Sequence, residues 1–255
     1  VRAGFGENQV FDFKLKYYLK NPGSEKAYLE AALPPDISGS QKIVFEKIST
    51  PPESIRIDDD GNYLAKFLLN GEESKAVEVE GKAIIFPSKL SARSEAKRED
   101  LPRELIESYT RGDKFWEVEN GEIKERAQAL TSLERTVFEN ARSIYEYVVA
   151  HLSYDENRMG QDFERFGAAR ALEERNHVLC TEYADLFVAL ARAAGIPARV
   201  LEGYAYTEDT EFRPASKGVL HSWAEVYLPG LSSSGPPSPE ASGDTPSLDG
   251  SLSGG

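Results

Sequence analysis

Two residues in the C-terminal half of the chain have side chains that could perform nucleophilic catalysis together. Cys180 is the only cysteine, and His221 is the one of three histidines that follows it. A thiolate attacks the carbonyl carbon of an amide, and an imidazole can take the thiol proton and later give it to the leaving amine. The two side chains therefore predict acyl transfer or hydrolysis at an amide.

The position of Cys180 favours this chemistry. The segment CTEYADLFVALARAAG predicts a helix that begins near Cys180 and ends at Gly195, with Pro197 preventing a restart. The unpaired backbone N–H groups at a helix start favour an anion, and so favour thiolate over thiol. A lone cysteine is more often an inert, buried residue, and that alternative stays open at this point.

His221 lies at the start of a predicted strand, HSWAEVYLP. Strand alternation places His221, Trp223 and Glu225 on one face. An imidazole on a strand that faces a helix start suits a cysteine–histidine pair, although a packed or surface histidine is the alternative. Trp223 and Tyr183 are predicted to contact substrate, and core packing is the alternative for Trp223.

The elements that must position these residues are helices followed by strands. A helix is predicted from Thr131, with Thr131 and Glu134 as a capping box and His151 at its end, and a second helix over 167–174. Two alternating strands, ARVLEGYAYT and VLHSWAEVYLP, follow the Cys180 helix. His177 is predicted to lie in a loop. This half of the chain is therefore α+β.

The first half has a period-two pattern from Val10 to Phe86, most clearly in VFDFKLKYYLK. Six or seven short strands separated by turn residues predict an antiparallel β-sandwich. The run DDDGN at 58–62 has acidic residues at alternating positions, as a calcium loop does. Its flanks read as strands, so a hairpin turn is the preferred interpretation.

These patterns predict four segments: a sandwich over residues 1–90, a charged linker with a short helix over 91–125, an α+β core over 126–230 and a disordered Ser/Gly/Pro tail over 231–255. A net charge of −13 with scattered Lys and Arg argues against nucleic acid as a partner. No apolar run is long enough for a membrane span. One cysteine excludes an internal disulfide and a thiolate zinc site.

The segments SIYEYVVAHLSYD, NHVLCTEYADLFVALARAAGIPARVLEGYAYT and HSWAEVYLPG closely resemble the transglutaminase-like superfamily, a branch of the papain-like cysteine enzymes, across about residues 131–230. The N-terminal strands resemble a sandwich often fused before that core. The resemblance implies that Cys180 is the nucleophile, that His221 is the general base and acid, and that no cofactor is needed. It also implies an oxyanion hole that includes the backbone N–H of Cys180, with a second donor unassigned.

The family's third catalytic member is an aspartate on the strand after the histidine. At that place this chain has SSSGPPSPEASGD, so the core is predicted to be incomplete, and the acid is not assigned to Glu240, Asp244 or Asp249. The resemblance implies a transamidase or a protease-like hydrolase acting on peptide or protein amides. A binding or scaffold module with a degenerate core, and an isolated domain without activity, are the alternatives.

Overall fold

The computed structural model describes four stretches of the chain, residues 8–86, 94–158, 164–205 and 220–229. The chain divides into two compact units, one formed by residues up to Lys89 and one by Leu90–Leu231. The prediction of an antiparallel sandwich followed by an α+β domain is confirmed. The predicted disordered tail, residues 231–255, lies outside the described residues.

The described residues of the first unit form six antiparallel strands. They are β1 (Gln9–Lys20), β2 (Ala27–Leu33), β3 (Gln41–Ile48), β4 (Ser54–Ile57), β5 (Tyr63–Leu69) and β6 (Ser74–Ile85). One sheet has the order β1-β6-β3 and the other the order β2-β5-β4. Strands β1 and β6 pair along their whole lengths, from Gln9 opposite Ile85 to Lys20 opposite Ser74.

The core of this unit lies between the two sheets, because both contribute residues to one buried cluster. Leu15, Val77 and Val79 come from the first sheet, and Phe67 and Leu69 from the second. Alternate residues of β1 point into the cluster while the charged residues between them are exposed. Burial of one face therefore fixes the register of the strands.

The acidic run at 58–62 forms the turn between β4 and β5, as the preferred interpretation predicted. The Asp58 carboxylate accepts hydrogen bonds from the backbone N–H groups of Asp60 and Asn62, at 3.0 and 2.8 Å. Gly61 has a φ of 85°, a torsion that favours glycine. Aspartate, asparagine and glycine are therefore the residues that this turn needs.

In the second unit, the residues that the structure describes form five α-helices and a two-stranded antiparallel sheet. They are α1 (Arg103–Tyr109), α2 (Gly121–Leu130), α3 (Val137–His151), α4 (Ala168–Glu173), α5 (Cys180–Ala193), β7 (Ala198–Tyr204) and β8 (Leu220–Val226). Short 3₁₀ turns cover Arg98–Asp100 and Glu156–Arg158. None of the helices in the described part of the chain combines the length and apolar character that a bilayer crossing needs.

Helix α3 begins six residues later than the sequence predicted, so the prediction of its start at Thr131 is wrong. The segment TSLERTVFE contains two capping-box patterns, and the structure uses the second. The Thr136 hydroxyl accepts the Glu139 N–H at 3.1 Å, and the Glu139 carboxylate accepts the Thr136 N–H at 3.0 Å. Thr131 instead ends α2. The Asn140 side chain binds both backbone groups of Ser132 and holds the connection as a turn.

The structure also differs from the predicted linker over residues 91–125. The described part of this segment contains α1, which matches the short predicted helix, and the start of α2. Ile123 is fully buried, and Leu101 joins the same hydrophobic cluster as the core of α5. This stretch is therefore part of the second unit and not a connection between units.

Helix α5 is buried along most of its length even though it carries charged residues. Asp185 is fully buried, and the Arg165 guanidinium binds both of its carboxylate oxygens. The indole N–H of Trp116 also donates to Asp185, at 2.8 Å. Burial raises the pKa of the Asp185 carboxyl, and the hydrogen bonds from Arg165 and Trp116 oppose that shift. Arg192 donates to the backbone carbonyls of Ala198 and Arg111, at 2.8 and 2.7 Å.

We predict that Gly81→Ala destabilises the sandwich. A Cβ at Gly81 would lie 2.3 Å from the carbonyl oxygen of Val44 and 2.8 Å from the ring of Phe13. Relief of such overlap requires shifts of backbone or side chains, so the free energy of unfolding should fall by about 1–3 kcal/mol. Urea unfolding followed by circular dichroism measures the change. The matched control is Gly23→Ala, whose Cβ would meet no atom closer than 3.4 Å; equal stability of the two variants would contradict the prediction.

We predict a larger loss for Arg165→Gln, because it leaves the buried carboxylate of Asp185 without its cation. Removal of one partner of a buried ion pair costs about 3–5 kcal/mol. Both tryptophans of the chain lie in this unit, so fluorescence during urea unfolding reports on it directly. The control is Arg142→Gln, which removes an exposed pair with Glu146 and should cost less than about 0.5 kcal/mol. A similar cost for both variants would show that Asp185 does not depend on Arg165.

Candidate active site

Cys180 is the first residue of α5, as the sequence predicted. The preceding residue, Leu179, has an extended backbone with φ −116° and ψ −174°, so the helix begins sharply at the cysteine. The thiol is a free cysteine and is partly exposed. The first N–H groups of a helix have no acceptor inside it and can bind an anion. Cys180 therefore places a sulfur beside backbone donors.

A buried carboxylate shapes this helix start. Glu182 is fully buried and accepts hydrogen bonds from the backbone N–H of Leu179 at 2.8 Å and of Phe166 at 3.2 Å. The Arg158 guanidinium lies 3.4 Å from the same carboxylate and also donates to the His177 carbonyl. The ion pair of Glu182 and Arg158 thus connects the chain around residues 158, 166 and 177–179 to the first turn of α5.

Tyr154 is a site residue that the sequence analysis did not identify. Its hydroxyl lies near Cys180, whose side chain and backbone both influence the pKa of the tyrosine. Burial, and then the neighbouring Cys180 sulfur, raise the pKa of the Tyr154 hydroxyl. Tyr154 is 44% exposed, so this residue beside the cysteine is open to solvent.

The backbone around Tyr154 explains its position. The Ser153 N–H donates to the Arg175 carbonyl at 2.8 Å, and the Asp155 N–H donates to the Val178 carbonyl at 2.9 Å. The second bond belongs to a short parallel bridge that pairs Tyr154 with Val178, two residues before the cysteine. The local sequence SYD does not predict this pairing with Val178, so it is seen only in the tertiary structure.

His221 lies on β8, which packs against α5. In the antiparallel pair of β7 and β8, Gly203 lies opposite His221. The rings of His221 and Trp223 meet edge to face, with centroids 5.1 Å apart and planes at 82°. A Cβ at Gly203 would lie 3.1 Å from the Trp223 indole, so glycine leaves room for the indole beside the imidazole.

The structure places the two residues predicted to contact substrate in different surroundings. Trp223 is 40% exposed, so core packing is not its role. Tyr183 packs against the buried helical cluster, and its hydroxyl donates to the Leu152 carbonyl at 2.8 Å. The ring of Tyr183 lies 6.3 Å from that of Tyr154. Tyr183 therefore packs beside Tyr154, with its hydroxyl already bound.

The other polar residues near the site have partners of their own. The Nδ1 of His177 lies 3.0 Å from the Asp155 carboxylate, and this contact, followed by that of Asn157, lowers the pKa of Asp155. His151 is the last residue of α3, as predicted. Glu225, on the same face as His221, binds Arg199 at 2.7 Å. The three tail acids considered for the third catalytic member lie outside the described residues.

Residues 124–233 match the family model of the transglutaminase-like superfamily. Uncharacterized protein YebA of Bacillus subtilis (strain 168) is 26% identical over 139 residues, which cover 50% of this chain and 19% of that protein. The chain thus spans about a fifth of the length of the curated relative it matches.

Among solved structures, a candidate cysteine protease from Cytophaga hutchinsonii aligns with a TM-score of 0.61 at 16% identity, over 87% of this chain and 76% of that chain. The periplasmic domain of TgpA from Pseudomonas aeruginosa aligns with a TM-score of 0.42 at 17% identity, over 83% of this chain and 69% of that chain. The first alignment extends through both units and supports the fold. The segment that matches the transglutaminase-like superfamily, residues 124–233, thus follows an N-terminal antiparallel β-sandwich in this chain.

Proposed function

We propose that this protein is a cysteine enzyme that forms an acyl-enzyme from peptide or protein amides. The observation that carries the proposal is the placement of Cys180, whose partly exposed thiol begins a buried helix inside the segment that matches the family. A cysteine that served packing alone would have no need of a helix start. The position supports a sulfur that must meet substrate beside backbone hydrogen-bond donors.

In the proposed mechanism, His221 takes the thiol proton and the Cys180 sulfur attacks the amide carbon. The new C–S bond forms as the carbonyl electron pair moves to oxygen. The pair then returns, the C–N bond breaks, and the imidazolium gives its proton to the leaving amine. Water or a second amine attacks the resulting thioester, with His221 again acting as base. These steps require no cofactor.

The imidazole needs a fixed orientation for both proton transfers. In the related triads an acid provides it. Here the rings of Trp223 and His221 meet edge to face, and β8 packs on the helix that carries the nucleophile. These contacts support a working pair, while the acid stays unassigned.

The exposed Trp223 supports a substrate that passes along β8 beside the imidazole. A half-exposed indole offers apolar area to a peptide chain. We assign Tyr183 to the site through its ring, because its hydroxyl is already bound to Leu152. The name of the Cytophaga hutchinsonii protein favours hydrolysis as the first activity to assay.

We predict that Cys180 reacts with iodoacetamide at pH 6.5 at least about ten times faster than N-acetylcysteine does. A free thiol with a pKa of about 8.5 is only about 1% thiolate at that pH, and backbone N–H groups at a helix start favour the thiolate as the attacking form. Intact mass follows the reaction simply, since the chain has one cysteine. His221→Ala should remove most of the advantage.

The matched control for this experiment is His177→Gln. His177 lies three positions before the cysteine but binds Asp155, so its removal should change the alkylation rate by less than about twofold. Alkylation of the wild type at the free-thiol rate, or an equal effect of both histidine variants, would favour the scaffold alternative over the enzyme.

We predict that the protein acts on casein in the presence of dansylcadaverine, and that Cys180→Ala abolishes the reaction. Shorter casein fragments on a gel would identify hydrolysis, and fluorescent casein would identify transfer to the amine. Loss of the nucleophile should lower either rate by about a thousandfold or more. Fragments or label formed equally by Cys180→Ala would rule out the acyl-enzyme.

A further inference from the structure

The first turn of α5 contains a buried carboxylate two positions after the candidate nucleophile. Glu182 is fully buried and accepts the backbone N–H groups of Leu179 at 2.8 Å and of Phe166 at 3.2 Å. These bonds hold the chain that enters the helix. A negative charge within one helical turn of Cys180 opposes a thiolate, because each of two like charges disfavours the other. The carboxylate that organises the helix start is therefore unfavourable for the attacking form of the sulfur.

Arg158 is the cation that meets this carboxylate. Its guanidinium lies 3.4 Å from the Glu182 carboxylate, and only 17% of its side chain is exposed. The guanidinium also donates to the backbone carbonyls of His177 and of Glu164, the latter at 3.0 Å. It lies over the ring of Phe166, 3.8 Å from the ring centroid. Contacts on several sides therefore keep a positive charge at the start of α5.

Several other ionisable side chains of the described residues lie around this helix start: Tyr154, Glu156, the pairs His177–Asp155 and Arg165–Asp185, Glu202 beside Arg165, and the candidate base His221 on β8. Tyr154 is uncharged near neutral pH, because burial and then the Cys180 sulfur raise the pKa of its hydroxyl. Glu156 and Glu202 are exposed, so water and salt screen their charges. Arg165 and His177 each bind a carboxylate of their own. Arg158 is therefore the cation in contact with Glu182 among these groups.

We infer that Arg158 is a positioning residue for the nucleophile, because its charge offsets that of Glu182 and so keeps Cys180 reactive near neutral pH. The inference rests on the proposed function. Glu182 organises the backbone of the helix start, and Arg158 cancels the unfavourable effect of that carboxylate on the thiolate. Neither residue needs to touch substrate for this effect. The reactivity of the thiol at low pH should therefore depend on the two charges as a pair.

Alkylation of the full chain by iodoacetamide measures this dependence, because the thiolate is the form that attacks. The C–S bond forms, and iodide leaves with the electron pair of the C–I bond. Arg158→Gln should slow alkylation at pH 6.5 by about tenfold, since the unopposed carboxylate displaces the pH profile upward by about one unit. Above about pH 9.5 the rate should approach that of the wild type. Arg158→Lys keeps the charge and should retain the rate within about threefold.

Glu182→Gln separates an electrostatic role from a structural one, because the two roles predict opposite changes. The amide oxygen of the glutamine can still accept a backbone N–H, but the negative charge is gone while Arg158 remains. Alkylation at pH 6.5 should therefore become at least about threefold faster. The double variant removes both charges and should return to within about threefold of the wild type. Circular dichroism checks the folding of each variant, and Glu182→Gln still provides the test if Arg158→Gln does not fold.

Arg142→Gln is the matched control, because it removes the same charge from an exposed ion pair on α3 and should change the rate by less than about twofold. Slower alkylation in both Glu182→Gln and Arg158→Gln would overturn the inference, since the pair would then act only through the fold of the helix start. An unchanged rate in folded Arg158→Gln would overturn it too. In both cases a fast-alkylating wild type leaves the proposed function standing, whereas a wild type that reacts as a free thiol contradicts both.

Discussion

The second unit depends on the pairing of the charges buried with α5. Glu182, Asp185 and Arg192 lie on a helix that is enclosed along most of its length, and an unpaired charge there would cost several kcal/mol. Their partners come from separate stretches of chain around residues 111–118, 158–166 and 198. The helix can be buried only when all these stretches have reached it. The buried charges of α5 therefore favour a single arrangement of these partner stretches around the helix. The stretches themselves have few apolar residues that could fix their positions.

The same pairing determines where the candidate catalytic groups lie. Glu182 joins Leu179 and Phe166 at the start of α5, so the nucleophile sits on a helix start whose surroundings are hydrogen-bonded. At the C-terminal end of α5, Gly195 adopts a φ of 74°, and this torsion turns the chain toward β7. The Arg98 guanidinium packs closely against Gly195. Strand β8 then returns along the helix with the candidate base. Groups on rigid elements hold their geometry better than groups on loops.

Some of these features can be predicted from the sequence and others cannot, for physical reasons. The period-two strands and the buried helix from Cys180 to Gly195 leave local patterns, and the structure confirms them. Helix α2 escaped prediction because its buried residues, such as Ile123 and Ala127, are few among charged neighbours. The predicted start of α3 was wrong because TSLERTVFE contains two successive capping-box patterns, and local rules do not choose between them. Tyr154 could not be found at all, since its pairing with Val178 is a long-range contact.

The start of α5 presents opposing electrostatic demands. Its free N–H groups favour negative charge at the cysteine, yet Glu182 brings a buried negative charge two residues away. Like charges this close oppose each other, so a carboxylate alone would work against a thiolate. Arg158 resolves the conflict, because its guanidinium pairs with Glu182 and also donates to the His177 carbonyl. The carboxylate can then organise the backbone while its charge is offset, and the helix start stays available to the sulfur and to an oxyanion formed on it.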